Sequence, residues 1–461
     1  MDKPRITTNQ LTRANTQEQT WVAIRGGVYD ITEFLPRHPG GKDFLLISAG
    51  KDITSLFESY HGSKHYSVLQ KYKIGTLTED NSLCFPPPDE FSTTVRRRVN
   101  EFFAASKLDR KDARTSYIHH SITVLLLFGL YWYQWSLSNS SWYIFYLVSV
   151  LYGFVQAHYC VSAIHDASHG AIGHNPLIWK LVYSGQDLIN GCSSLLWYVD
   201  PQLELCLQSI LTLGRMYQHV MSHHIFTNID GLDTDIAEPD GSYRRIKSSQ
   251  KYNLLYIAQF IYAPMLYVLL GTTTRMADIY NLLTKKRGHL RVNPLTWEQC
   301  TLFWGGKLFF FGTRFILPYI RGAPLSRVVS CFLVSDFVFS FFLAIIFQAS
   351  HVVEDVLWPE ISPTSHTVNL DWGRLQVETA QDYAHHQPLT TFFTGGLNYQ
   401  VVHHLFPNVA QKHLGLLAPI VRRVAQDYGV KYAIKESLWD AIGGHIGLLK
   451  LMGTHPHGLE G

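Results

Sequence analysis

Apolar and polar positions change rhythm twice along this chain. In the first stretch, residues 5–80, short runs alternate. Trp21-Val22-Ala23-Ile24, Gly26-Gly27 and Val28-Tyr29-Asp30-Ile31 read as two strands around a glycine turn, a β-hairpin. Residues 81–115 are mostly polar and open with Phe85-Pro86-Pro87-Pro88-Asp89, a stiff extended spacer. From 116 to 450 the apolar runs lengthen. A helix needs about 20 mostly apolar residues to cross a bilayer. Residues 117–137, 143–163, 301–320 and 327–349 meet that need as two hairpins with short connections. Residues 253–271 are apolar too, but Pro264 interrupts them. The pattern therefore predicts a multidomain chain: a small α+β domain at 5–80, a linker and juxtamembrane segment at 81–115, and an all-α membrane domain at 116–450 with four transmembrane helices.

Composition narrows this further. A net charge of +3 with 16% charged residues gives no nucleic-acid footprint. The six cysteines are scattered without a CxxC pair, so neither a disulfide framework nor a thiolate metal site is implied. The first residues are polar and lack the apolar core of a signal peptide, which places the first domain in the cytosol. Arg96-Arg97-Arg98 reads equally well as a solvated helix face or as a contact with lipid headgroups. Asn139-Ser140-Ser141 forms a glycosylation sequon, but in a loop short enough to lie against the bilayer. Lys307, Arg314, Arg321 and Arg327 blur any charge bias across the second hairpin.

The chemistry is carried by histidines. Three clusters stand at the edges of apolar stretches: His165-Asp166-Ala167-Ser168-His169, His219-Val220-Met221-Ser222-His223-His224, and Gln400-Val401-Val402-His403-His404. One pair at i, i+4 shares a helix face but is common by chance. Seven imidazoles in three such clusters are not. A zinc site takes three or four protein ligands, so the number argues for two metals, and imidazole suits iron as well as zinc and copper. Asp166, Asp233 and Asp235 are placed to fix imidazole tautomers through the second ring nitrogen. In the first domain, Pro39, Gly40 and Gly41 after His38 make a tight turn that lets the backbone approach a flat ligand. His61, with His65 as its competitor, offers a second imidazole, and two neutral imidazoles on opposite faces of a haem suit electron transfer.

The three clusters in this order resemble those of the membrane fatty-acid desaturases. Gln400, where a first histidine would stand in the third cluster, resembles the front-end subgroup with its fused cytochrome b5 domain. His38-Pro39-Gly40-Gly41 with His61 after Phe57-Glu58 resembles cytochrome b5, and the resemblance favours His61 over His65.

That resemblance implies haem b on His38 and His61. It implies two non-haem irons on His165, His169, His219, His223, His224, His351, His403 and His404. Gln400 would orient a metal-bound water or contribute weakly itself, and Asp166 would support the first cluster. O2 would be the co-substrate. Electrons would come from NADH or NADPH through a cytochrome b5 reductase, and the substrate would be an acyl-lipid or acyl-CoA. The product would carry a new cis double bond between an existing one and the carboxyl end. Residues 376–384 and 398–408 look most like Δ5 enzymes. A Δ6 acyl or Δ8 sphingolipid desaturase is the alternative, and an inactive haem- or metal-binding homologue is the reading from another class. The location implied is the endoplasmic reticulum membrane, with both sites on the cytosolic side. If 253–271 crossed the bilayer, the clusters would face opposite sides, so that stretch is expected to lie in the interface or re-enter. His158 is expected to face the protein interior, and His385-His386 matches no ligand position.

One segment fits nothing in this family. Residues 198–215 separate Trp197 from Met216-Tyr217-Gln218-His219, which would otherwise be nearly adjacent. The codons for Trp197-Tyr198-Val199 contain GTAYGT, a common intron start. An AGG codon for Arg215 would supply the closing AG and rejoin a Trp codon. The segment reads as an insertion from a retained intron.

Overall fold

The computed structural model describes residues 4–62, 65–78, 85–136, 141–194, 215–236, 240–287, 290–362 and 367–456. Residues 198–214 of the predicted insertion and Asn139-Ser140 of the sequon lie outside the described residues.

The first domain is built on a five-stranded sheet. Its strands run in the order Arg5–Ile6, Lys73–Leu77, Gly27–Asp30, Trp21–Ile24, Lys51–Asp52. Trp21–Ile24 pairs antiparallel with Gly27–Asp30, as the hairpin reading expects. Arg25 and Gly26 both take positive φ at the turn, the backbone that matches strand twist. Alternation then sorts the side chains. Ala23 and Val28 join Ile6 and Leu11 on one face, while Val22, Ile24 and Tyr29 face the core shared with Phe57 and Leu56.

The membrane domain is a helical bundle. Arg114–Ser136 pairs with Trp142–Tyr159, which continues through a π-helical stretch at Cys160–Ile164 into His165–Ser168. Trp297–Phe311 continues through Gly312–Ile316 into Leu317–Ile320 and is followed by Leu325–His351. Ile118, Leu125, Phe128, Leu147, Leu308 and Ile320 point outward and are exposed. Charges on these helices turn inward instead: Arg275 meets Asp336 at 2.5 Å and Lys307 meets Asp278 at 2.7 Å, all four buried. An outward apolar belt with inward charge is the pattern lipid imposes.

Two features depart from the sequence reading. Among the described residues three helices are long and apolar enough to cross a membrane, Trp142–Ser168, Leu254–Thr284 and Leu325–His351, and the expected spans 117–137 and 301–320 are not among them. The middle one is the predicted interfacial stretch, extended well beyond residue 271. Pro264 does not end it, because the chain passes through a tighter turn at Tyr267–Leu269 and resumes as a helix at Leu270. The second departure is Arg96. It lies on the linker helix Glu90–Ser106, where Arg97 pairs with Glu101 at 2.8 Å as a solvated face would. Arg96 instead sits over the Trp372 ring and donates to the Glu58 carbonyl at 3.4 Å.

The two domains are docked tightly. Asp43 accepts from Tyr183 and Gln299, each at 3.2 Å. Glu298 lies 3.3 Å from Lys42 and 3.2 Å from Lys180. Asn293 donates to the carbonyls of Leu46 and Ala49 at 2.7 and 2.9 Å.

Candidate metal centre

The first cluster rides on the end of a long helix. The π-helical stretch Cys160–Ile164 precedes it, and such wider turns recur at functional sites. His165 and His169 are buried there. The second cluster forms within a π-helix, Arg215–His223, that passes into His224–Phe226. A π turn closes over five residues, which brings His219 and His224 to one side, their Nε2 atoms 3.2 Å apart. The third follows Gly395 and Gly396, both at positive φ. A Cβ on Gly395 would stand 2.5 Å from the Val161 carbonyl, so that glycine lets the third cluster close onto the helix of the first. His351 ends the helix Leu325–His351.

All eight histidines converge, in two groups. His165, His169, His219, His224 and His403 hold ligand atoms within 4.8 Å of one another, as do His223, His351 and His404. Nε2 of His219 lies 3.1 Å from that of His165, and His403 Nε2 lies 3.2 Å from His224 Nε2. In the second group, His223 and His351 approach at 3.3 Å. The rings of His224 and His404 stack at 4.2 Å where the groups meet. Metal–nitrogen bonds of about 2.0–2.1 Å, at angles between right and tetrahedral, separate two ligand nitrogens by about 2.9–3.4 Å. The donor set therefore fits metal ions. His404 Nε2 and Gln400 Oε1 are buried without a protein partner, as groups meant for a metal or its water would be. The Gln400 amide also reaches His351 Nε2 at 2.9 Å.

The opposite ring nitrogens are held. His219 Nδ1 meets Asp235 at 2.8 Å and His223 Nδ1 meets Asp233 at 2.9 Å. His404 Nδ1 meets Gln376 Oε1 at 2.8 Å, and His351 Nδ1 meets the Thr379 carbonyl at 3.2 Å. His169 Nδ1 meets the Tyr60 hydroxyl at 2.9 Å. Partners like these fix tautomer and ring plane. Asp166 stands farther off, 3.4 Å from His165 Nδ1. Burial, with neighbouring imidazoles, holds His224 and His404 well below the usual histidine range, in the neutral form a metal takes. His223 moves up: burial pulls its pKa down, but Asp233 and Asp235 outweigh it. A cavity of about 20 Å³ opens beside His223 and His351, bordered by Leu270, Ala344 and Phe347. Gln376, Thr379 and Tyr60 were not singled out from sequence as partners of these imidazoles, because a phenol, an amide and a carbonyl carry no metal signature there. His385 pairs with Asp382 at 2.8 Å. His158 is buried as expected, 2.8 Å from His119.

In the first domain, His38 and His61 face each other with ring centroids 6.3 Å apart. An iron between two Nε2 atoms, each about 2 Å away, asks for roughly that spacing. Both Nδ1 atoms are engaged by carbonyls, His38 with Gly41 at 2.9 Å and His61 with Phe57 at 3.0 Å. Gly40 leaves room: a Cβ there would stand 2.7 Å from the His38 ring. Burial lowers the pKa of His38 and brings His61 to about 4, so both are neutral. The His65 ring meets the His61 ring edge-on, with its own Nδ1 on the Gly62 carbonyl at 3.0 Å. These residues fit a haem held from both faces.

Known proteins match on both parts. The family described as "Fatty acid desaturase" matches residues 203–435, beginning after the first histidine cluster, and "Cytochrome b5-like Heme/Steroid binding domain" matches residues 7–78. The chain is 38% identical over 457 residues to an acyl-lipid (8-3)-desaturase of Mortierella alpina, covering 98% of each. It is 36% identical over 455 residues to Delta(5) fatty acid desaturase A of Dictyostelium discoideum, covering 97% of this chain and 94% of that one. Among solved structures, cytochrome b5 of Ostreococcus tauri virus 2 is 35% identical, covering 16% of this chain and all of its own, with a TM-score of 0.16. With histidine clusters fit for metal, a haem-type first domain and this identity over nearly the whole chain, the protein belongs to the fatty acid desaturase family, with a cytochrome b5-like domain fused at its N-terminal side.

Proposed function

We propose that this chain is a front-end desaturase of Δ5 type, inserting a cis double bond into a polyunsaturated acyl chain. The observation that carries it is the convergence of eight histidines into two adjoining groups beside a docked haem-type domain. When bound, two irons supply the O2-dependent removal of hydrogen from an unactivated methylene, and haem b supplies electrons singly. His165, His169, His219, His224 and His403 would hold one iron, and His223, His351 and His404 the other. Gln400 stands beside the second position, its Nε2 2.9 Å from His351 Nε2, and would orient a water there. Asp233, Asp235 and Gln376 keep their imidazoles in the tautomer that leaves Nε2 for metal. Asp166 does so more weakly for His165. His38 and His61 would hold the haem.

Leu270, Ala344 and Phe347 form the apolar wall beside the second group that an acyl methylene would meet, the cavity itself having room for about one water. The bundle draws that substrate, an acyl-lipid or acyl-CoA, from the bilayer. Both ends of the segment through Leu254–Thr284 would lie on the metal side. Tyr256 packs its carbonyl against Gly453, and Asn293 binds the haem-type domain. This supports a re-entrant path for that segment; of the four crossing helices the reading then needs, Trp142–Ser168 and Leu325–His351 have the length and apolarity, and both sites would face the cytosol, at the endoplasmic reticulum. A cytochrome b5 reductase would deliver the electrons. The names of the (8-3) and Delta(5) relatives favour Δ5 over Δ6 or Δ8. Lipid profiles of yeast expressing the chain, fed C18 and C20 polyunsaturated acids separately, test this. A Δ5 product from C20 acids is expected from the chain without residues 198–215, lost there in His224→Ala and kept in His386→Ala, with about two non-haem irons per chain. Zinc in an active preparation would sink the mechanism, and a Δ6 product from C18 acids would move the regiochemistry.

A further inference from the structure

The helix Thr54–Tyr60 of the first domain ends against the metal cluster. Tyr60 immediately precedes His61 in the chain. Its hydroxyl lies 2.9 Å from Nδ1 of His169. With His169 Nε2 toward the cluster, Nδ1 carries the ring proton and donates it to the phenol oxygen. The approach is braced from two sides. Arg96 donates to the Glu58 carbonyl near the end of the same helix and lies over Trp372. Trp372 Nε1 in turn donates to the His224 carbonyl at 3.1 Å. On the other side, Asp43 meets Tyr183, Gln299 and Lys180, and Lys42 meets Glu298.

We propose that Tyr60 positions His169 and carries the electronic coupling between the haem and metal sites. From the His61 ring the path runs through its own backbone, the adjoining peptide and the Tyr60 ring, crosses one hydrogen bond, and enters the His169 ring. No through-space gap intervenes between those two histidines, and electronic coupling falls more steeply across a gap than along bonds. This inference rests on the haem and iron reading above. In each transfer one haem iron passes from ferrous to ferric and one ferric ion of the metal pair becomes ferrous. The bridge keeps its proton. Two such transfers, two protons from solvent, one O2 and the two hydrogens taken from the substrate leave the alkene and two waters.

The test uses the chain without residues 198–215, otherwise complete and loaded with haem and iron. Tyr60→Phe keeps the ring and removes the oxygen. Three quantities are measured: the haem potential, the non-haem iron content, and the rate at which pre-reduced haem is reoxidised on mixing with O2 and acyl substrate. The potential and iron content should stay at the parent's values, while reoxidation slows by about tenfold or more. Reoxidation within about twofold of the parent overturns the proposal. So does a slow rate that accompanies iron loss and recovers when iron is restored, because Tyr60 would then only hold a ligand in place. Glu298→Gln loosens the same interface away from the bridge, and equal slowing there would reduce Tyr60 to a docking contact. His224→Ala separates the two layers of argument. If it leaves fast reoxidation intact, the metal reading fails, not the bridge alone.

Discussion

His61 and His65 are one helical turn apart in sequence, but their surroundings differ. His61 faces His38, stacks on Phe57 at 4.5 Å and is half-buried, while His65 lies at the edge of the pair. His61→Ala should therefore abolish the six-coordinate haem spectrum of the full chain, and His65→Ala should leave it. The reverse result would move the second axial position to His65. Residues of this kind are legible in sequence because their chemistry is rare: only a few side chains bind metal, and clusters of them seldom arise by chance. Asp233 and Asp235 were legible for a similar reason, being carboxylates close to a histidine cluster. Tyr60, Gln376 and Thr227, whose hydroxyl lies 3.3 Å from His404 Nδ1, were not. Phenols, amides and hydroxyls are everywhere, and only the fold brings these three to the imidazoles.

At the scale of elements, the loop after the second cluster acts as a clamp. Asp233 accepts from the Asn228 backbone at 2.8 Å while holding His223, and its Oδ1 accepts from the Asp235 backbone at 2.9 Å. Asp235 holds His219 from the group of five histidines. One short loop thus fixes a ligand from each group. Asp233→Asn retains the shape and loses the charge, and should weaken metal binding by roughly 10–100-fold. Iron retained per chain after dialysis against graded chelator measures it, and retention equal to the parent's would remove Asp233 from the metal's support. The period of the apolar pattern located the helices Arg114–Ser136 and Leu325–His351 well. It missed the length of Leu254–Thr284, because a proline reads as a stop and the local tightening that absorbs it leaves no sequence mark. The π-helical turns were invisible for a similar reason: their wider spacing matters only once ligands must meet across helices.

At the scale of the whole molecule, function depends on how closely the second cluster can be brought to the first. His165 and His219 touch across 3.1 Å, while Ser193, just before the undescribed stretch, is fixed by a 2.6 Å bond from its backbone to Asp278. A family site assembled this tightly tolerates little displacement of its ligands. A looped-out insertion costs little in chain entropy, so the described fold and an added segment at 198–215 are compatible in thermodynamic terms. The separate argument is that Trp197-Tyr198-Val199 can only be encoded by a string containing GTAYGT, and that an AGG codon at Arg215 would supply the closing AG. Transcripts should therefore lack the codons for 198–215, joining Trp197 to Met216. The chain with that segment deleted should desaturate, and the chain as written should do so weakly or not at all. Messages that carry the segment in full would refute the splicing idea, and equal activity of the two forms would make 198–215 a tolerated surface insertion.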